Sequence, residues 1–389
     1  MAMKPTRIDI PEAQLDDLRR RIAATRWPEA YASPGWERGT PLGYLHELAD
    51  HWQHRYDWRA AEHEINQYPQ FTTDIDGAKV HFLHVTSPEP NARPLLLTHS
   101  WPGSIVEFLD MIGPLSNPRA HGADPTQAFH LVIPAIPGYG FSGPLHESGW
   151  TTRRVAGAWA ELMRRLGYSS YLSAGGDWGS IISLDLARVD KEHVAGVHIC
   201  WPTVPARDAV GLTGMSESEL AELDQISMSW FNSELSAYLR LQTTRPWTLA
   251  YALSDSPVGQ LSWIVEKFQE WNKAAKSPED VIDQNRLLTN VSIQWFTNTA
   301  GSALQLYYES GMALGALFTP GAPSEPVEVP VGVAFFPQDP SPPFRAFGEL
   351  ERSTIQRWTA FEKGGHFGPM EQSGPFVADL RAFASDLRS

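Results

Sequence analysis

The stretch SAGGDWGSII, residues 173–182, decides how the rest of this chain is read. It runs small–x–nucleophile–x–small, the pattern of a sharp strand-to-helix turn that lifts one reactive side chain to the end of a sheet. Glycines at 175, 176 and 179 let strand and helix approach closely. The residue at the apex is Asp177, where many hydrolases carry a serine. Read by itself, the stretch also fits a glycine-rich turn whose aspartate merely caps the following helix. Its companions along the chain weigh against that simpler reading.

Upstream, "RPLLLTHSWPGS" and "FHLVIPAIPGYGFSG" are short apolar runs ended by Gly/Pro clusters, and they read as buried strands. "FTTDIDGAKVHFLHV" alternates around Asp76-Gly77, the signature of a two-stranded hairpin. Val155, Trp159, Leu162, Met163 and Leu166 recur at helical spacing between strands. Alternation of strand and helix implies an α/β fold, a mainly parallel sheet with helices on both faces. After Pro205 the strand signal vanishes for roughly 120 residues of helical pattern such as "WIVEKFQEW", then resumes at "VGVAFF". Four segments are therefore expected. Residues 1–70 form a helical meander packed on the core, 71–205 the first part of the core, 206–325 a helical cap, and 326–389 the last part of the core. The meander's apolar stripes (Leu15, Leu18, Ile22; Leu45, Leu48, Trp52) suggest helices without strands of their own.

Two further groups complete a reactive set. His366, in the Gly-rich "KGGHFGPME" just before the last helix, is the candidate general base among 13 histidines. Asp339, in "FFPQDPSPP" beyond a strand end, is the candidate acid that orients the imidazole. The order nucleophile, acid, histidine is that of the α/β-hydrolase fold. "THSWPGS" follows the strand "PLLL", where this fold supplies half of an oxyanion hole. The backbone N–H groups of Trp101 and Trp178 are the candidate donors, and oxyanion donors of this kind are worth about 3 kcal/mol each. The side chains of Trp101, Trp178 and Phe367 are the candidate substrate contacts.

Composition removes other classes. With 31 Lys and Arg against 45 Asp and Glu, the formal charge is −14 and nucleic acid would be repelled. No run approaches the ~18 apolar residues of a membrane span. The start lacks a secretory signal, so a cytoplasmic location is expected. The single cysteine, Cys200, permits no internal disulfide and no paired-cysteine zinc site. Neither cofactor nor metal is expected. A homodimer is the default assembly for a soluble enzyme.

A carboxylate attacks amides and ordinary esters poorly but suits displacement at saturated carbon, which leaves an alkyl ester on the enzyme. Strained epoxides and alkyl halides both fit. The set "RIDIPEAQLDDLRRRIAATRWP", "HSWPGS", "PGYGFS", "GGDWGS", "SDSPVG", "LYYES" and "GGHF" resembles the microsomal-type epoxide hydrolase family over nearly the whole chain. The resemblance implies an α/β-hydrolase core behind an N-terminal meander and a small-molecule epoxide substrate. It also implies two cap tyrosines, here Tyr238 and Tyr307, that hydrogen-bond the epoxide oxygen and protonate the opening alkoxide. Tyr308 is the neighbour most easily confused with Tyr307, but on a helix it points about 100° away.

Two positions depart from the family pattern. Ser100 stands where the oxyanion segment usually has glycine, and Asp339 where the acid is usually a longer glutamate. Two other functions remain compatible with the residues: a haloalkane or haloacid dehalogenase, which the tryptophan beside the nucleophile would suit, and a non-catalytic binder of apolar ligands.

Overall fold

A computed structural model describes residues 3–29, 35–200, 232–317, 325–340 and 354–387, together with 218, 225 and 229. Among the described residues nine strands form one sheet in the order β1-β2-β3-β5-β4-β6-β7-β8-β9. These are β1 (Lys4–Thr6), β2 (Gln70–Ile75), β3 (Ala78–Val85), β4 (Arg93–Thr98), β5 (Phe129–Pro134), β6 (Tyr171–Gly175), β7 (Val194–Ile199), β8 (Val331–Phe335) and β9 (Ile355–Ala360). From β5 to β9 every pairing is parallel, and β1, β2 and β3 extend the sheet antiparallel. The hairpin expected at Asp76-Gly77 joins β2 to β3, with Ile75 opposite Ala78. Both turn residues have positive φ, 51° and 80°, as a two-residue hairpin loop that follows the strand twist requires.

Strand alternation sends side chains to two separate cores. On β4, Leu96 faces one and Leu95 and Leu97 the other. The first core takes α5 (Thr152–Arg165), through Val155, Trp159 and Leu162, and α6 (Trp178–Val189), through Ile182 and Leu186. The second takes α3 (Trp58–Ile65), α4 (Leu109–Ser116) and the last helix, Ser373–Asp386, through Phe376, Leu380 and Phe383. Covering both faces is what buries a parallel sheet.

The N-terminal segment differs from expectation in one respect. Its helices α1 (Glu12–Ala23), α2 (Leu42–His54) and α3 are present, but Lys4–Thr6 also pairs with Thr72–Gln70 as the edge strand of the sheet. Three residues are too few to show a period of two, and pairing with a partner 64 or more positions away leaves no local signal. The segment also grips the helices that follow β7. Trp52 Nε1 donates to Ser292 Oγ at 2.9 Å, Tyr56 Oη to Thr289 Oγ1 at 2.9 Å, and Arg286 forms a two-pronged pair with Glu64.

Between β7 and β8 every described element is helical, including Ala237–Thr244, Pro246–Asp255, Pro257–Glu270, Gln284–Phe296 and Gln305–Glu309. The expected start of the insertion at 206 lies outside the described residues. Among the described residues no helix is long and apolar enough to cross a membrane.

Candidate active site

The turn after β6 holds Asp177 at φ 51° and ψ −120°, a backbone conformation that costs a non-glycine residue on the order of 1–3 kcal/mol. Its neighbours enforce it. A Cβ on Gly175 would lie 2.5 Å from the Thr98 carbonyl oxygen, and one on Gly179 only 2.0 Å away, so only glycine lets β6 and α6 close on β4. Ser180 Oγ and Cys200 N both donate to the Gly175 carbonyl, fixing the strand end. The aspartate is 7% exposed and does not cap α6 with its side chain, which removes the bland reading of the stretch.

Two groups meet the carboxylate, and a third stands behind one of them. The Trp101 backbone N–H donates to Asp177 Oδ1 at 2.9 Å. His366 Nε2 lies 3.4 Å from Oδ2. His366 Nδ1 is 2.9 Å from Asp339 Oδ2, so the shorter acid reaches the imidazole. A backbone bond between the two loops explains that reach: Gln338 N donates to the Gly364 carbonyl, drawing the β8 loop against the histidine loop, while Lys273 N, just after the helix Pro257–Glu270, ties the Gln338 carbonyl to the helical insertion. Burial alone would lower the His366 pKa. The negative charges and hydrogen bonds of Asp339 and Asp177 override it and lift it to about 10, so the imidazole is protonated at neutral pH.

The oxyanion segment is held along its length. Ile136 N donates to His99 Nε2, leaving Nδ1 as the protonated nitrogen that donates to the Ser100 carbonyl at 2.8 Å. Burial keeps this imidazole neutral, with its pKa pushed down to about 4. Because the 100–101 peptide is planar, fixing its carbonyl also aims the Trp101 N–H at Asp177. Asn290 and Gln294 of the helix Gln284–Phe296 both donate to the Pro102 carbonyl, at 2.8 and 2.6 Å. Trp178, first residue of α6, carries a backbone N–H without an intrahelical partner.

Tyr238 and Tyr307 come from different helices and meet over the nucleophile. Tyr238 stacks flat on Trp101, ring centroids 5.3 Å apart, while Tyr307 stands edge-on to Trp178 at 4.6 Å and to Trp101 at 5.5 Å. The two phenol rings are 6.0 Å apart. Burial raises both pKa values well above the ordinary phenol value, and the Asp177 charge adds to it, so both keep their protons. The Tyr307 hydroxyl is buried, with the Tyr238 hydroxyl and the Trp178 indole N–H as its polar neighbours, and neither makes a well-formed hydrogen bond to it. Tyr308 is 54% exposed, as its helical position implied.

All the residues singled out in the sequence thus gather in one place. Phe367 lies beside His366, stacked on Phe268 at 4.1 Å and on Trp271 at 5.8 Å. Several contributors gave no sequence signal. Trp271 accepts the His366 N–H on its carbonyl and sets its ring edge-on to the imidazole at 4.6 Å. Glu371 accepts from the backbone N–H groups of Gly365 and Phe367, bracketing His366. Its place five residues after the histidine, in the same motif, is the one cue that could have found it. Among the described residues no cluster of three or more metal-ligating side chains occurs.

Residues 3–108 match the family profile described as epoxide hydrolase N terminus, and residues 93–289 that of the alpha/beta hydrolase fold. A protein of Stigmatella aurantiaca, provisionally named an epoxide hydrolase, is 42% identical over 99% of this chain and 85% of its own length. The chain belongs to the epoxide hydrolase family. Epoxide hydrolase 1 of Sus scrofa is 30% identical over 98% of this chain and 88% of its own length. Among solved structures, the Aspergillus niger epoxide hydrolase superposes with a TM-score of 0.82 at 29% identity, covering 100% of this chain and 97% of its own. The juvenile hormone epoxide hydrolase of Bombyx mori gives 0.83 at 26% identity, covering 100% and 94%. Both superpositions span the whole of this chain, the N-terminal segment and the helices between β7 and β8 included.

Proposed function

We propose that the chain adds water to an apolar or aryl epoxide through an ester on Asp177. Asp177 Oδ2 attacks an oxirane carbon, the C–O bond breaks, and the departing oxygen takes a proton from Tyr238 or Tyr307. The product of this step is a hydroxyalkyl ester and a phenolate. Esterification removes the negative charge from Asp177, and with it part of what holds the His366 proton. That proton restores the phenol, leaving a neutral imidazole that serves as base. His366 then takes a proton from water, and hydroxide adds to the ester carbonyl. Oδ1, already bonded to the Trp101 N–H, becomes the oxyanion, with the Trp178 N–H as second donor. Collapse releases the diol after proton transfer to its alkoxide oxygen, and Asp177 and protonated His366 are regenerated.

The observation that carries this reading is the division of labour between the two carboxylate oxygens: Oδ1 on a backbone donor, Oδ2 on the imidazole side below two buried phenols. An apolar substrate is favoured by the walls of Trp101, Trp178 and Trp271. One observation favours halide displacement instead: Trp178 Nε1 is a buried donor whose neighbour, the Tyr307 hydroxyl, gives it no well-formed hydrogen bond. Measuring diol release from styrene oxide and related aliphatic epoxides beside halide release from short haloalkanes separates the two. Diol without halide is expected; halide release with no diol overturns the proposal.

A further inference from the structure

The oxyanion segment carries a buried acid that the chemistry above does not use. Glu107 lies seven residues beyond Ser100, on the short helical turn Ile105–Phe108, and is 3% exposed. Its Oε1 accepts two bonds from one residue, the Ser100 backbone N–H at 3.0 Å and the Ser100 hydroxyl at 2.5 Å. The neighbouring glycine leaves room for it, since a Cβ on Gly103 would sit 1.5 Å from that same oxygen.

From this geometry we infer that Glu107 is a positioning residue for ester hydrolysis, acting through Ser100 to keep the Trp101 N–H aimed at Asp177 Oδ1. Peptide 99–100 is fixed through its N–H by Glu107, and peptide 100–101 through its carbonyl by His99. With both planes set, the Trp101 N–H has one direction left. The Ser100 hydroxyl adds a second tie to the same acceptor. Burial pushes the Glu107 carboxyl up to about 8, so at neutral pH a largely uncharged oxygen does the accepting. The role therefore depends on an acceptor in that position and not on a negative charge.

The inference rests on the Asp177 ester proposed above, and it makes a specific kinetic demand. In a two-step sequence, slowing only the second step lowers kcat and KM together and leaves kcat/KM, which reports alkylation, nearly unchanged. Removing an oxyanion donor costs about 10²–10³ in rate, so displacing one is expected to cost at least about tenfold. Glu107→Leu removes the acceptor, Glu107→Gln keeps it, and Gly103→Ala displaces it by the added methyl group.

The experiment measures steady-state constants with styrene oxide for wild type and the three variants, with intact-protein mass during turnover. Glu107→Leu and Gly103→Ala are expected to lower kcat and KM in parallel by about tenfold or more and to accumulate alkylated enzyme. Glu107→Gln is expected to stay within about threefold of wild type. If Glu107→Leu does not fold, Gly103→Ala is read in its place. A fall in kcat/KM without accumulated ester, unchanged kcat, or a Gln variant as impaired as Leu would overturn the inference. Absence of ester from acid-quenched wild type in single turnover would instead sink the proposed function.

Discussion

Replacing Tyr307 by Phe should slow the enzyme while leaving the protein as stable as before or more so. A hydrogen bond to a developing charge is worth about 1.5–3 kcal/mol, which converts to a roughly 10- to 150-fold loss in the alkylation step. Tyr238 stands 6.0 Å away, ring to ring, so one phenol remains to serve the departing oxygen. The losses for Tyr238→Phe and Tyr307→Phe will therefore not simply multiply in the double variant. Stability runs the other way. The Tyr307 hydroxyl is buried with only imperfectly aligned contacts to Tyr238 and to the Trp178 indole N–H, and a group so poorly paired costs the fold part of the about 1–3 kcal/mol of an unpaired one. Removing it loses only those imperfect contacts. The assay is kcat/KM on styrene oxide paired with urea unfolding of the same preparation. Undiminished kcat/KM, or activity and stability lost together, would refute the argument, since either would make Tyr307 a packing residue.

Two other outcomes follow from the same site. His366→Ala should still form the Asp177 ester and fail to release it, so intact mass rises by the mass of the epoxide; a variant with no adduct and no turnover would contradict the assigned order of steps. Stability should fall on both sides of neutrality. His366, raised to about 10 in the fold, contributes stability that is complete below pH ~6.5 and is lost as pH climbs toward 10. Glu107 acts in the same direction between about 4.5 and 8, because the unfolded carboxyl ionises first. His81 and His99, held neutral by burial near 3 and 4, impose no cost above ~6.5 and up to about 1.4 kcal/mol per pH unit each below it. Urea midpoints at pH 5, 6.5 and 9.5 check the signs, and an alkaline fall as steep in His366→Gln as in wild type would remove His366 as its cause.

What the sequence revealed depended on whether the signal was local. The Asp177 turn was legible because the same glycines that permit the close approach to Thr98 also spell the motif. Tyr307 was picked out by the family motif, with the helical repeat turning its neighbour Tyr308 away, and the Asp76-Gly77 hairpin was legible from its turn chemistry. Glu107 was not legible. In "IVEFLDM" a glutamate among apolar residues reads as the solvent face of a helix, and only the fold of the preceding loop buries it against Ser100. Asn290, Gln294 and Trp271 act on residues 94 or more positions away, beyond any local pattern. Asp339 looked too short for its task, and the backbone bonds that bring its loop to the histidine could not be read from residue types.

The most direct measurement follows the oxygen atom through one turnover in heavy-oxygen water with enzyme in excess over epoxide. If Asp177 is the nucleophile, the first diol contains no heavy oxygen, and the peptide carrying Asp177 gains it. Heavy oxygen in that first diol, with an unlabelled Asp177 peptide, would mean that water attacks the ring directly and no ester forms.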